Sequence, residues 1–216
     1  MGGLTRTPKP SGSPRQKKPR RDTDLTRRAD VRDSADQFMV VCGSESTEYD
    51  YLSGFKAHFK RRNLSVKVAK KPGSPLQVVN YAAERWGGAG DEFDQVWCVL
   101  DVDEYTDLER AVRRARQRRI ELAVSNPCFE LWLLLHHTDH QSWTQDYDAL
   151  KKLLGKYGDV PADKSVDFAR HYGGNLWKDA VRRARSLAEE GTEHLPESNP
   201  ATRMWRLALA ITGEEA

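Results

Sequence analysis

Val96-Trp97-Cys98-Val99-Leu100-Asp101-Val102-Asp103-Glu104 decides how the rest of the chain is read. Its apolar run is unbroken, short and bounded by charge, the pattern of a strand buried on both faces. Such a strand delivers Asp101 and Asp103 to its C-terminal end, the edge of an open α/β sheet where ligands bind. Side chains on a strand alternate faces with a period of two, so the two carboxylates point the same way and can share a hard cation such as Mg²⁺. From this stretch alone, a solvated acidic loop after a strand accounts for the pattern equally well.

The flanking sequence supplies the partners of that strand. Upstream, Gln37-Phe38-Met39-Val40-Val41-Cys42 is a second apolar strand, broken by Gly43-Ser44-Glu45-Ser46-Thr47-Glu48. Ser46 or Thr47 can cap the helix that follows, with Tyr51, Leu52, Phe55 and Phe59 on its core face. Ser65 to Ala69 alternates as a strand, and Gly73-Ser74-Pro75 opens a helix that Gly87-Gly88 ends. Downstream, Leu108 to Arg119 is an amphipathic helix with six arginines off its apolar face, and Ile120 to Val124 is a fourth strand. Strands alternating with helices build right-handed βαβ units and a parallel sheet. The expected fold is therefore α/β, a doubly wound, mainly parallel sheet of Rossmann-like type over residues 36–137. From Thr138 onward no apolar strand-like run appears. Helices are expected at Tyr147 to Leu154, Val166 to His171, Lys178 to Glu190 and Thr202 to Ile211, a helical extension (138–216) packed on the core.

Composition bounds the function classes. Of 216 residues, 38% are hydrophobic and 31% charged, and the longest apolar run, Leu131 to Leu135, is far too short to span a membrane. The basic N-terminal stretch is not followed by the apolar segment of a signal peptide. Three cysteines, Cys42, Cys98 and Cys128, make neither an even disulfide set nor a CxxC pair, which points to small core residues and a reduced cytoplasm. The net charge of +3 hides an asymmetry: residues 1–21 hold seven Lys or Arg and no acid, while the remainder carries 28 basic residues against 32 acidic ones. Residues 1–35 are expected to form a disordered basic arm, either a phosphate-touching tail or a solubilising extension. The hexapeptide Ala-Val-Arg-Arg-Ala-Arg occurs at Ala111–Arg116 and at Ala180–Arg185. Its arginines read first as solvated helix faces; both copies facing the carboxylate edge would instead make a basic cradle for a polynucleotide.

Glu45 and Glu48 follow the first strand, and Asp101 and Asp103 follow the third. In a parallel sheet these ends share one edge, where convergent carboxylates repel unless a cation, Mg²⁺ or Mn²⁺, neutralises them. A strand with a Glu-containing turn followed by a strand ending in Asp-x-Asp looks like the TOPRIM domain of topoisomerases, primases and related nucleases. With Ser125-Asn126-Pro127-Cys128-Phe129-Glu130-Leu131-Trp132-Leu133-Leu134 and Asn199-Pro200-Ala201-Thr202, the chain resembles the RloB-like family over nearly all of its length after the arm.

That resemblance implies a metal-dependent nuclease acting on RNA, with tRNA a candidate, or on DNA, in a family linked with an AAA-type ATPase partner and anti-phage defence. Carried over by position, Asp101 and Asp103 hold the metal, and a Glu of the first turn acts as general acid or base. Many relatives carry Cys-Glu-Gly-Glu-x-Thr-Glu there, whereas Gly43 stands in place of the first Glu. Glu45 is favoured for the role and as a further metal ligand, with Glu48 second; an impaired site that only binds nucleic acid or the ATPase is the alternative.

Glu130 reads either as another acid at the metal edge or as a helix N-terminal carboxylate with Asn126 as the cap. His136 and His140 could share a helix face, but no Glu and third ligand complete a zinc site, so packing or surface roles are expected. Lys164, Arg170 and His171 are candidate phosphate contacts. Trp97, Trp132, Trp177 and Trp205 read as core. Assembly as a homo-oligomer is left open by the sequence.

Overall fold

The computed structural model describes residues 1–3, 35–61, 63–88, 92–102, 105–158 and 164–214. The chain divides into Met1–Arg32 and Asp33–Ala216, and the fold below is that of the second unit. The expected basic arm and Asp103 lie outside the described residues, apart from a few residues at the arm's ends.

Five strands form one sheet in the order β2-β1-β3-β4-β5. They are β1 (Asp36–Cys42), β2 (Leu64–Lys70), β3 (Gln95–Asp101), β4 (Glu121–Asn126) and β5 (Ala201–Thr202). The first four are parallel, and β5 runs antiparallel to β4 through Ser125–Thr202 and Asn126–Ala201. Parallel strands need crossover helices, and among the described residues these are α1 (Thr47–His58), α2 (Pro75–Gly88) and α3 (Leu108–Arg118). After β4 come α4 (Glu130–Leu135), α5 (Tyr147–Leu154), α6 (Phe168–His171) and α7 (Leu176–Arg185), with α8 (Met204–Thr212) following β5.

The inner strands are buried on both faces, which explains the unbroken apolar runs of β1 and β3, whereas the edge strand β2 exposes Ser65, Lys67 and Lys70. Alternate strand residues enter two separate cores. Val40, Cys42, Trp97, Val99 and Ala123 face α1, α4, α7 and α8, whereas Met39, Val41, Cys98, Leu100 and Val124 face α2 and α3. In α3, Leu108, Ala111, Val112 and Ala115 recur at i, i+3, i+4 and i+7 and are all buried. The two arginine hexapeptides therefore lie on opposite faces of the sheet and form no common cradle.

Three expectations change. The sequence after Thr138 shows no apolar strand-like run and reads as mostly helical, yet β5 extends the sheet. Asn126 does not cap the helix carrying Glu130: α4 begins after Phe129 with no side-chain cap, and Asn126 Nδ2 donates instead to the Leu195 carbonyl at 2.8 Å. Ser46 precedes α1 but makes no capping bond. The C-terminal helices also do more than cover the sheet, because Leu150, Leu154, Trp177, Trp205 and Ile211 belong to the same core cluster as α1 and α4.

Candidate functional site

In this strand order the chain leaves β1 toward β2 on one side and returns to β3 on the other. The C-terminal ends of β1 and β3 are thus the sheet's topological switch point, where the diverging crossovers leave a crevice. A cleft of about 320 Å³ lies there, lined by Gly43, Ser44, Glu48, Leu100, Asp101, Tyr105 and Lys164 among others.

Backbone bonds fix its walls. Gly43 N–H donates to Val99 O at 3.1 Å, holding the β1 turn against β3. Val102 N–H lies 3.0 Å from Ser125 O and 3.2 Å from Pro127 O, so the residue after Asp101 is tied to the end of β4. Ser74 Oγ donates to Asp107 Oδ2 at 2.6 Å and ties the start of α2 to the start of α3. The segment bearing Lys164 is tied to the first turn of α1, since Thr47 Oγ1 donates to Lys164 O at 3.1 Å and Val166 N–H to Asp50 Oδ2 at 3.3 Å.

These ties bring Glu48, Asp101 and Lys164, some of the sequence-derived candidates, to one cleft. Glu48 sits in the first turn of α1 and is only 2% exposed, and Asp101, the last residue of β3, is half-buried. Glu45 is exposed in the preceding turn and is not part of the lining. Ser44 Oγ is buried in the cleft without a hydrogen-bond partner among the described residues, a polar atom placed to meet something that enters. Lys164 is exposed, and its ammonium stands 4.1 Å over the Tyr147 ring.

Glu130 is 3% exposed and is not part of the cleft lining. The Cys128 thiol feels the charge of its carboxylate and that of Asp101, so both acids share one neighbourhood. Burial first, then those two charges, push the thiol up and keep it protonated. Burial and then Glu130 raise the Tyr172 hydroxyl to about 12, and Tyr147 is raised for the same reasons in the same order. Tyr147 and Ser44 were not singled out in the sequence, because neither belongs to an acidic or basic pattern.

Arg170 and His171 lie on α6, outside the cleft lining. Arg170 is exposed, and His171 faces Gly158. The histidines do not converge: His136 is buried between Tyr51 and the Trp132 carbonyl, and His140 Nε2 meets Thr144 Oγ1 at 2.6 Å. Among the described residues no three His, Cys, Asp or Glu side chains are grouped to hold a metal ion. Trp132 and Trp177 are fully buried, and Trp97 and Trp205 nearly so, as the apolar periodicity requires.

The model of the RloB-like protein family matches residues 38–211, from β1 into α8. The chain belongs to the RloB-like family. Neither a curated protein nor a solved structure matched it. The family match spans both walls of the cleft and the Asn126–Leu134 block of this RloB-like chain. That block is explained by position: Asn126 ends β4 beside β5, the Pro127 carbonyl braces Val102, and Glu130 opens a helix of six buried residues.

Proposed function

We propose that this RloB-like chain is a TOPRIM-type, divalent-metal-dependent phosphodiesterase that hydrolyses RNA, tRNA among the candidates, or DNA. The observation carrying this is the convergence of Glu48 and Asp101, from two different strand ends, on one cleft at the sheet's switch point. Among the described residues of its lining, the cleft offers carboxylates and the orphaned Ser44 hydroxyl and no thiol or imidazole. That donor set fits a hard, oxygen-liganded ion such as Mg²⁺ or Mn²⁺, which takes one or two carboxylates and completes its shell with water and substrate oxygens.

Asp101, with Asp103 two residues on, would hold the ion. When bound, the ion supplies positive charge at the scissile phosphate and acidifies a coordinated water. Glu48 is the better-placed carboxylate to move the proton of the attacking water, with Glu45 kept as the alternative. Lys164 would hold a non-bridging phosphate oxygen, and Glu130 would act behind Asp101 through Cys128. The family resemblance adds an AAA-type ATPase partner and a role in anti-phage defence to the proposal, and the three unpaired cysteines add a cytoplasmic location. Among the described residues no helix is long and apolar enough to cross a membrane.

Gly43 favours a second reading, a non-catalytic nucleic-acid- or ATPase-binding module on the same scaffold. A Cβ there would stand 3.2 Å from the Val99 backbone oxygen, so a side chain at position 43 requires that strand to yield by a few tenths of an ångström. Labelled tRNA, single-stranded RNA and DNA are incubated with the protein in Mg²⁺, Mn²⁺ or EDTA. Cleavage is expected with metal alone, to fall roughly 10²- to 10⁴-fold in Glu48→Gln, to vanish in Asp101→Ala and to persist in Glu45→Gln. Cleavage that survives EDTA or Asp101→Ala overturns the metal site. Inactivity in the wild type, even with the partner ATPase, together with activity in Gly43→Glu establishes the binding module.

A further inference from the structure

The repeated hexapeptide supplies an internal comparison. In α7 each of its arginines is engaged: Arg182 pairs with Asp179 at 3.2 Å, Arg183 with Asp139 at 3.3 Å and with the Leu135 carbonyl at 2.7 Å, and Arg185 lies 5.3 Å over the Trp205 ring. In α3 the apolar residues of the same hexapeptide are buried, but its arginines find few partners. Arg113 makes one exposed pair with Glu109 at 3.4 Å, Arg114 donates to the neutral Asn80, and Arg116 has no ion pair among the described residues. The rest of α3 amplifies the difference, because Arg110 and Arg118 also lack ion pairs there. The helix carries five arginines against one glutamate.

We infer that the outer face of α3 is a track for a polynucleotide backbone running from the cleft, an inference that rests on the cleft being a polynucleotide site. With Leu108, Ala111, Val112 and Ala115 turned inward, Arg110, Arg113, Arg114 and Arg118 stand on the solvent side. They begin at the helix end next to the cleft, only a few residues after Tyr105, and descend about 12 Å from Arg110 to Arg118 at 1.5 Å per residue. Tyr105 lines the cleft and is 45% exposed, an aromatic face on which a base can stack at the head of the track. Guanidinium forks, here with Glu109 as the single carboxylate partner among the described residues, suit phosphate oxygens, which they bind in bidentate fashion. An acidic protein surface is the poorer fit, because protein interfaces centre on buried aromatic or aliphatic anchors and α3 exposes none.

The test separates binding from chemistry. Fluorescence anisotropy of a labelled 20-nucleotide single-stranded RNA is measured in EDTA on Asp101→Ala protein, over a series of salt concentrations. Combining Arg110→Gln, Arg113→Gln and Arg118→Gln is expected to weaken binding at least tenfold and to reduce the log–log salt slope by about 2, near 0.7 per lost phosphate contact. Arg182→Gln, in the matching hexapeptide of α7, should change neither, and matching thermal melts show that all variants fold. Unaltered affinity and slope in the triple variant, or no RNA binding by the parent protein, overturns the track. Because no cleavage is read, an inactive enzyme that still binds through α3 sinks the nuclease proposal and leaves this one standing.

Discussion

His136 shows how much a single buried side chain fixes here. Its Nδ1 lies 2.9 Å from the Trp132 carbonyl and its Nε2 3.0 Å from the Tyr51 hydroxyl. A carbonyl only accepts, so Nδ1 carries the proton, Nε2 is the acceptor and Tyr51 donates. Full burial holds the imidazole neutral and lowers its pKa to about 3 from the ordinary 6.5. Between those values the unfolded chain binds a proton that the folded one refuses. The stability His136 contributes is thus complete above about pH 6.5 and drains away as pH falls toward 3. Urea midpoints measured from pH 7 to pH 4 should decline over this window. Tyr51→Phe, which strands Nε2 without a donor, should cost about 1–3 kcal/mol at pH 7 in the same assay. The acids of the first turn show what a sequence withholds at this scale. Glu45 and Glu48 are equal as letters, and only the point where α1 begins, at Thr47, puts one in solvent and the other into the cleft wall.

At the scale of elements, strands and helices with strong periodicity were readable, and those made by tertiary contact were not. β1, β3 and α3 follow from their apolar patterns, and α5 spans Tyr147–Leu154 as expected. β5 is two residues long, too short for any period, and exists because Ser125 and Asn126 offer an edge; the Ser125 and Thr202 hydroxyls, 2.8 Å apart, seal the pairing. The cap of α4 was misread for a related reason, since Asn126 is claimed by a carbonyl almost seventy positions away. The hexapeptides make the same point, with identical arginines held by Asp179, Asp139 and the Trp205 ring on α7 and with fewer partners on α3. Asp146 is a cap that the structure does form, accepting from Ala149 N–H at 3.0 Å at the start of α5. Asp146→Ala should lower stability by about 1 kcal/mol, read as a shift in the denaturation midpoint with an unchanged slope.

At the scale of the whole molecule, the candidate site is a product of strand order more than of any motif. Placing β1 between β2 and β3 makes the crevice, and the acids occupy it because they follow those strands. A parallel sheet with its strand ends on one edge was legible, because alternating strands and helices leave few topologies; the order of the strands was not. The join of the C-terminal helices into one core with α1 and α4 was not, because their apolar residues are scattered through amphipathic segments. Three thiols are distributed through this architecture, Cys98 inside β3, Cys42 at the end of β1 and Cys128 close to Asp101 and Glu130. All are buried and held protonated, so none reacts until the protein opens. They amount to clocks already built into the chain. Pulse alkylation followed by peptide mass mapping should show Cys42 and Cys98 labelled together at the rate of global unfolding. Earlier labelling of Cys128 would time a separate, local opening of the cleft wall.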